Sequence, residues 1–104
     1  MKGLGDLMKK AQQMKASMDR LQEELAARTV EAGAGGGMVT VTATGAQEIV
    51  SIAIDTSVID PDEKEMLQDL IQAAVNEALK KSREMMKEEM GKITGGLPVP
   101  DIFG

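Results

Sequence analysis

The sequence predicts an α+β fold with a long N-terminal helix, a small antiparallel β-sheet of about three strands and a long C-terminal helix. Two observations predict it. Residues 38–55 alternate with a period of two and are divided by a short glycine-containing break, which is typical of a β-hairpin. The segments before and after this hairpin repeat their apolar residues with helical spacing. A chain of 104 residues fits one domain with a core of modest size, and we expect that domain at residues 1–94.

The first helix is predicted over residues 4–27. Its apolar residues are separated by alternating steps of three and four, which is the spacing of a coiled-coil-like seam. The seam consists of Leu4, Leu7, Ala11, Met14, Met18, Leu21 and Leu25. We therefore expect a helix that packs along one narrow stripe.

The hairpin supplies two strands, and residues 29–32 are expected to supply a third. The alternating apolar positions of the hairpin are Val39, Val41, Ala43, Val50, Ile52 and Ile54. The glycine-rich run at 33–37 joins the third strand to the hairpin. Because this run leads into a strand and not into a helix N-terminus, we interpret it as a flexible connection rather than a phosphate-binding loop.

The second long helix is predicted to begin at residues 60–63, after a connector at 55–60. Asp60 suits the N-cap, Pro61 the first helical position and Glu63 the reciprocal place of a capping box. Capping explains most of the acidic residues in this region, and the calcium-loop pattern is missing. We therefore predict no metal site.

Along this second helix, the apolar residues between 66 and 79 cover about half of the circumference. One small sheet needs a narrower face, so we expect contact with both the chain's own sheet and a second subunit. The predicted homodimer interface consists of Leu67, Leu70, Ile71, Ala74 and Ala78. From Lys80 onward the apolar residues thin out, which predicts a projecting, mostly solvated helix.

The last ten residues are predicted to be a mobile tail. Gly95 and Gly96 end the helical pattern, and the two prolines of residues 95–104 disfavour a helix. The apolar residues of this tail, which suit docking on a partner or a neighbouring subunit, are Leu97, Val99, Ile102 and Phe103.

The composition excludes several kinds of chemistry. The chain contains no cysteine and no histidine, which removes the usual zinc sites, serine–histidine–aspartate triads and thiol nucleophiles. No carboxylate or lysine stands at a spacing typical of acid–base catalysis, so we expect no enzymatic activity, no cofactor and no small-molecule substrate. No apolar run approaches about 18 residues and no signal peptide is recognisable, so we expect a cytoplasmic protein without membrane contact.

Five segments of the chain carry a resemblance to a known family. They are GDLMKKAQQMKASMDRLQEEL, GAGGGMVTVTATG, IVSIAID, DEKEMLQDLIQAAVNEAL and TGGLPVP. In this order and spacing they resemble the YbaB/EbfC family of small bacterial nucleoid-associated proteins. The resemblance implies an α-β-α homodimer whose long helices project from a shared sheet core in a tweezer-like arrangement. It also implies binding of double-stranded DNA, a location in the nucleoid, and a role in nucleoid organisation and gene regulation.

The charge pattern identifies the segments that would contact DNA. The chain has a net charge of −5, yet residues 1–20 sum to +3 (five basic, two acidic) and residues 80–92 to +2 (five basic, three acidic). Residues 48–69 sum to −6 (one basic, seven acidic), and such segregation leaves a local positive surface. The predicted DNA contacts are Lys9, Lys10, Lys15, Arg20, Lys80, Lys81, Arg83 and Lys87.

A second class of function stays open at this point. The chain contains nine methionines and a single aromatic residue, and methionine-rich surfaces adapt to many partners. The alternative is a dimeric scaffold or adaptor that holds another protein through its methionine-rich helices and apolar tail.

Overall fold

The computed structural model describes residues 2–93 of the chain, and the elements follow the predicted order. A long helix, α1 (Lys2–Ala27), precedes three strands, β1 (Thr29–Ala34), β2 (Val39–Thr44) and β3 (Ile49–Ile54). Two short 3₁₀ turns, Thr56–Val58 and Pro61–Glu63, then lead into a second long helix, α2 (Lys64–Ile93). The predicted α+β fold is therefore confirmed, and the molecule is elongated, measuring 75 × 21 × 16 Å. The predicted tail, residues 95–104, lies outside the described residues.

The three strands form one antiparallel sheet in the order β1-β2-β3. β1 is two residues longer than predicted because Gly33 and Ala34 pair with β2. The connection from β1 to β2 is consequently a tight turn at residues 35–38. The three glycines at 35–37 all have positive φ, between 64° and 92°, a conformation that residues with a side chain rarely adopt. The glycine run is thus a connection between strands, as predicted.

Asp60 is an N-cap, as predicted, but of the 3₁₀ turn Pro61–Glu63, and α2 itself begins only at Lys64. Glu63 bonds Asp60 through its backbone N–H, which donates to the Asp60 carbonyl at 2.9 Å. The Asp60 carboxylate accepts a hydrogen bond from the backbone N–H of Asp62 at 3.0 Å, and Pro61 occupies the next position. Within the predicted connector, Asp55 caps the other 3₁₀ turn in the same way, accepting from the backbone N–H of Ser57 at 2.9 Å. The backbone hydrogen bond from Ser57 lowers the pKa of Asp55 most, and the side-chain hydrogen bond from Ser57 lowers it further, because both favour the charged carboxylate.

One row of residues on α2 contacts both partners of this helix. Every fourth residue is buried, at Ala74, Ala78, Ser82, Met86 and Met90. The two alanines pack on the apolar face of β1 and β2, where their small side chains allow the helix to lie close to the sheet. The two methionines pack on α1. Each step of four residues shifts the row by about 40° around the helix, so the row winds by about 160° from Ala74 to Met90. Neighbouring faces of one helix therefore cover the sheet first and then the other helix.

Both helices and the sheet meet at the end of β2. There the Ser82 hydroxyl donates a hydrogen bond to the Thr44 carbonyl at 2.6 Å, and the Gly45 amide donates one to the Arg28 carbonyl at 2.9 Å. Gly45 is buried, and a Cβ built on it would overlap the Leu25 carbonyl oxygen and lie 2.8 Å from the Leu25 carbonyl carbon. Glycine is required at residue 45 because there is no space for a side chain.

The distal half of α2 differs from the sequence-based prediction on one face. Met86 and Met90 are only 5% and 3% exposed and are not solvated, because they pack against Leu25, with Met18 and Leu21 at the rim. Since α1 runs towards the junction at Gly45 and α2 runs away from it, the two helices are antiparallel. The seam of α1 thus finds a partner within the chain over residues 18–25. The scattered methionines of α2 did not indicate this contact.

We expect Gly45→Ala to destabilise the fold by about 3 kcal/mol, because the added methyl group would overlap a backbone carbonyl that can move only if α1 moves with it. Urea unfolding at a fixed protein concentration, followed by far-ultraviolet circular dichroism, measures the change.

Gly5→Ala is the matched control for this substitution. A Cβ on Gly5 meets nothing within 4 Å, and alanine favours a helix over glycine by about 1 kcal/mol, so this variant should be as stable as the parent or slightly more so. Equal unfolding midpoints for the two variants would contradict the close packing at Gly45.

Candidate nucleic-acid interface

The N-terminal half of α1 extends beyond the rest of the described chain. All of residues 3–17 are exposed, and packing against α2 begins at Met18. At a rise of 1.5 Å per residue, this projecting segment is roughly 20 Å long. It carries Lys9, Lys10 and Lys15, which are therefore presented to solvent on a helix without a neighbour among residues 3–92.

The four predicted cations of α1 do not share one face of the helix. At about 100° per residue, Lys10 and Lys15 lie on opposite sides of the apolar stripe, whereas Lys9 and Arg20 lie roughly opposite it. All four side chains are exposed. They surround the helix with positive charge, an arrangement that suits contact with phosphates rather than the reading of base edges from one face.

On α2, three of the four predicted cations do share a face. Lys80, Arg83 and Lys87 follow one another at helical spacings of three and four; Lys80 and Lys87 are exposed and Arg83 is half-buried. Lys81 lies on a different face, where its Nζ donates a hydrogen bond to the Glu31 carbonyl of β1 at 3.1 Å. The structure thus groups three of these cations and separates the fourth.

The cations of the two helices occupy different parts of the long axis. Leu25 packs with Met86, so the α2 group lies level with the C-terminal end of α1, and Lys9 lies roughly 24 Å further along α1. Between them, Oε1 of Glu89 lies 3.8 Å from Nη1 of Arg28 in an ion pair and accepts a hydrogen bond from Nζ of Lys92 at 3.1 Å. These two ion pairs reduce the positive charge of the middle of the molecule.

The segment with the largest negative net charge lies towards the opposite end of the molecule from the projecting half of α1. The acidic segment, residues 48–69, forms β3, both 3₁₀ turns and the start of α2. The Debye length at 0.1 M ionic strength is about 10 Å, which is far shorter than the 75 Å long axis. The negative net charge therefore does not cancel the local positive charge of the projecting half of α1.

The described residues offer little to a small ligand or a metal ion. A cavity of about 280 Å³ at the start of α2 is lined by Ile59, Asp60, Pro61, Lys64 and Leu67. Its only carboxylate, that of Asp60, is already engaged in capping. No group of three acidic residues within residues 2–93 is placed to hold a metal ion. Over the same residues, neither helix combines the length and the apolar character that a membrane span requires.

The residues predicted for a dimer interface divide into two groups. Ala74 and Ala78 are 0% exposed in the chain's own core, so their side chains have no surface left for a second chain. Leu67, Leu70 and Ile71 pack at the rim of the same core and remain half-buried. Of the five predicted residues, only the second group has surface left for another subunit.

β3 is an uncovered edge strand that sequence reasoning did not assign to an interface. α2 packs over β1 and β2, and Ile49 and Ile52 of β3 remain 38% and 44% exposed. They pair with Ala43 and Val41 of β2, so they extend the apolar core face beyond the edge of α2. The available signal was the segment IVSIAI, which holds more apolar residues than one buried face needs.

Comparisons with known proteins agree with this architecture. The model of the YbaB/EbfC DNA-binding family matches residues 1–97. A nucleoid-associated protein of Acetivibrio thermocellus is 57% identical over 101 residues, covering 96% of this chain and 89% of the relative. Another, of Pelotomaculum thermopropionicum, is 55% identical over 100 residues, covering 96% and 95%.

A solved structure shares the fold as well. The crystal structure of an uncharacterized protein from Helicobacter pylori superposes with a TM-score of 0.70 at 30% identity, covering 88% of this chain and 92% of that one. Together with the helix–sheet–helix order and the exposed basic helix, these matches show that the chain belongs to the YbaB/EbfC DNA-binding family, whose relatives here are named nucleoid-associated proteins.

Proposed function

We propose that this protein is a homodimer that binds double-stranded DNA, mostly through phosphate contacts and with low sequence specificity. By altering the conformation of DNA in the bacterial cytoplasm, it contributes to nucleoid organisation and gene regulation. Membership of a DNA-binding family and relatives named as nucleoid-associated proteins support the partner and the location.

The observation that carries this proposal is the separation of charge along the molecule. Lys9, Lys10 and Lys15 project on an exposed helix at one end, whereas the acidic segment lies at the other. A polyanion approaching the basic end meets positive charge with the acidic end many Debye lengths away. The duplex would therefore bind at the helical arms and not at the sheet.

The chemistry of the side chains favours phosphate contact over base reading. Six of the eight predicted contacts are lysines, whose ammonium groups bind phosphate as point charges. Stacking on single-stranded bases uses aromatic rings, and the only aromatic residue of the chain is Phe103. Readout in the major groove relies strongly on arginine, and the two arginines among the contacts, Arg20 and Arg83, lie on different helices.

The uncovered face of β3 supports the homodimer. Ile49 and Ile52 expose apolar surface beside the half-buried flank of α2, and contiguous apolar patches mark interaction sites. The outer edge of β3 also carries backbone groups that another strand would pair. A second copy would cover both, and we assign the interface to these two residues together with Leu67 and Ile71. Leu70 lies on the β1 side of α2, beside Gly35, and is left out of this interface. A two-fold axis there would present two basic arms to one duplex.

We expect Ile52→Asp to convert the dimer into a folded monomer, because the substitution places an unpaired charge in the interface. The side chain of Ile52 is 44% exposed in the single chain, so the monomer should tolerate the change. Light scattering at low micromolar concentration gives the mass. Ser51→Asp, the same charge on the adjacent, opposite-facing residue of β3, should remain dimeric. If the Ile52 variant keeps the dimer mass, the interface lies elsewhere.

We expect the triple variant Lys9→Glu, Lys10→Glu, Lys15→Glu to lose duplex binding while keeping its oligomeric mass, since all three side chains are exposed. Fluorescence anisotropy with a labelled duplex between 50 and 200 mM salt measures the affinity. The log–log slope of the parent, at roughly 0.9 for each neutralised phosphate, gives the number of phosphate contacts available to be lost. Unchanged affinity of the triple variant at low salt would contradict the assignment of these lysines.

A matched pair of single variants tests whether duplex binding depends on the charge of the projecting half of α1 or only on the net charge of the protein. Lys10→Glu and Lys64→Glu change the net charge equally, but Lys64 begins α2 within the acidic segment. The first should weaken binding and the second should leave it nearly unchanged. If both weaken binding alike, only total charge matters and the site assignment fails. Absence of any duplex binding by the parent at low salt would favour the scaffold or adaptor function instead.

A further inference from the structure

Half of the apolar stripe of α1 has no partner among residues 3–92. The stripe repeats every three or four residues from Leu4 to Leu25. α2 covers its C-terminal part, whereas Leu4, Leu7 and Met14 are 61%, 66% and 60% exposed. Because one stripe continues through both halves, with a drift of only about 20° per heptad, the exposed half lies on the side of α1 that faces α2.

An uncovered stripe of this length is costly for a helix. Helices of fewer than about 12–15 residues are marginal in water, and most helical stability in proteins comes from packing of the apolar face. The projecting segment also contains Gly3 and Gly5, each of which disfavours a helix by about 1 kcal/mol relative to alanine. A partner that covers the stripe would supply the missing stabilisation.

The chain itself leads to this surface. α2 runs antiparallel to α1, and Met90 packs among Met18, Leu21 and Leu25. Ile93, the last described residue, is about one turn further on, near the point at which the stripe becomes exposed. The last described residue of α2 therefore lies beside the start of the uncovered half.

We propose that residues 94–104 dock along the exposed stripe of α1 in the same chain, as an extended segment that continues the line of α2. At about 3.1 Å per residue an extended, proline-containing segment of this length reaches roughly 34 Å. The stripe from Met14 to Leu4 is roughly 15 Å long. Gly95 and Gly96 allow the chain to leave the helix, and two prolines beyond them favour an extended course.

The composition of the segment matches the surface. It carries four large apolar residues for the stripe, namely Leu97, Val99, Ile102 and Phe103. Its only charged side chain is Asp101, which would enter the positive field of Lys10 and Lys15 on either side of the stripe.

A tethered segment also has an effective concentration in the millimolar range, so it outcompetes a second molecule of equal affinity. The docking does not require DNA, although Asp101 would lower the positive charge beside Lys10 and Lys15.

Paired cysteines test the proposal, because the natural chain has none. One variant combines Val99→Cys with Leu7→Cys on the stripe, because an extended course from Ile93 brings residue 99 roughly level with Leu7. Its control combines Val99→Cys with Lys9→Cys, roughly opposite the stripe at a similar height. On mild oxidation at low micromolar concentration, the Leu7 pair should form an intramolecular disulfide about tenfold faster, as burial of one large apolar side chain would give. Non-reducing electrophoresis and mass spectrometry give the rates.

Two results would overturn the proposal. Equal rates for the two pairs would mean that the segment has no preferred face and that the stripe is open. Disulfides that join two chains would assign the stripe to a second copy of the protein.

Hydrogen exchange provides a readout without cysteines. In the full chain, Leu97→Ser combined with Phe103→Ser should accelerate amide exchange over residues 4–14, because the helix there would lose its cover. Exchange over the sheet, which the segment does not touch, is the internal control. Unchanged exchange over residues 4–14 would also overturn the proposal.

Discussion

The architecture depends on a close backbone approach at one point. Gly45, just after β2, lies against the backbone of Leu25 at the end of α1, and the hydroxyl of Ser82 binds the neighbouring carbonyl of Thr44. This single junction fixes both helices relative to the sheet. A side chain at residue 45 would separate α1 from the sheet, and the packing of α1 on α2 would then be misaligned.

The row of buried residues on α2 explains how one straight helix serves two partners. Alanine at 74 and 78 brings the helix axis close to the flat sheet, and methionine at 86 and 90 fills the wider space between two helix axes. Ser82 stands where the partner changes, with its hydroxyl satisfied by a carbonyl at the sheet's end. Small-then-large side chains along one row thus match the change from helix–sheet to helix–helix packing.

The local elements were predictable from the sequence, and their partners were not. The alternation in β2, the cap at Asp60 and the seam of α1 each depend on neighbouring residues, so the sequence alone predicts them. Periodicity indicates that a face is apolar without indicating what covers it. For this reason the sequence assigned Ala78 to a second subunit, although the chain's own sheet buries it, and did not reveal that β3 extends beyond α2. The same limit applies to charge. The sequence alone identifies the lysines of α1, but only the fold sets their distance from the acidic segment.

Methionine at the contact between the helices has a mechanical consequence. Met18, Met86 and Met90 hold α1 against α2 near the junction, and unbranched thioether side chains adapt to small shifts with little loss of packing. The projecting half of α1, roughly 20 Å long, can therefore pivot where these methionines hold it. A pivot of about 10° near Met18 would displace the tip by roughly 4 Å, about the height of one base pair. In the homodimer proposed above, two such arms would accommodate straight and bent duplexes without any change in the sheet.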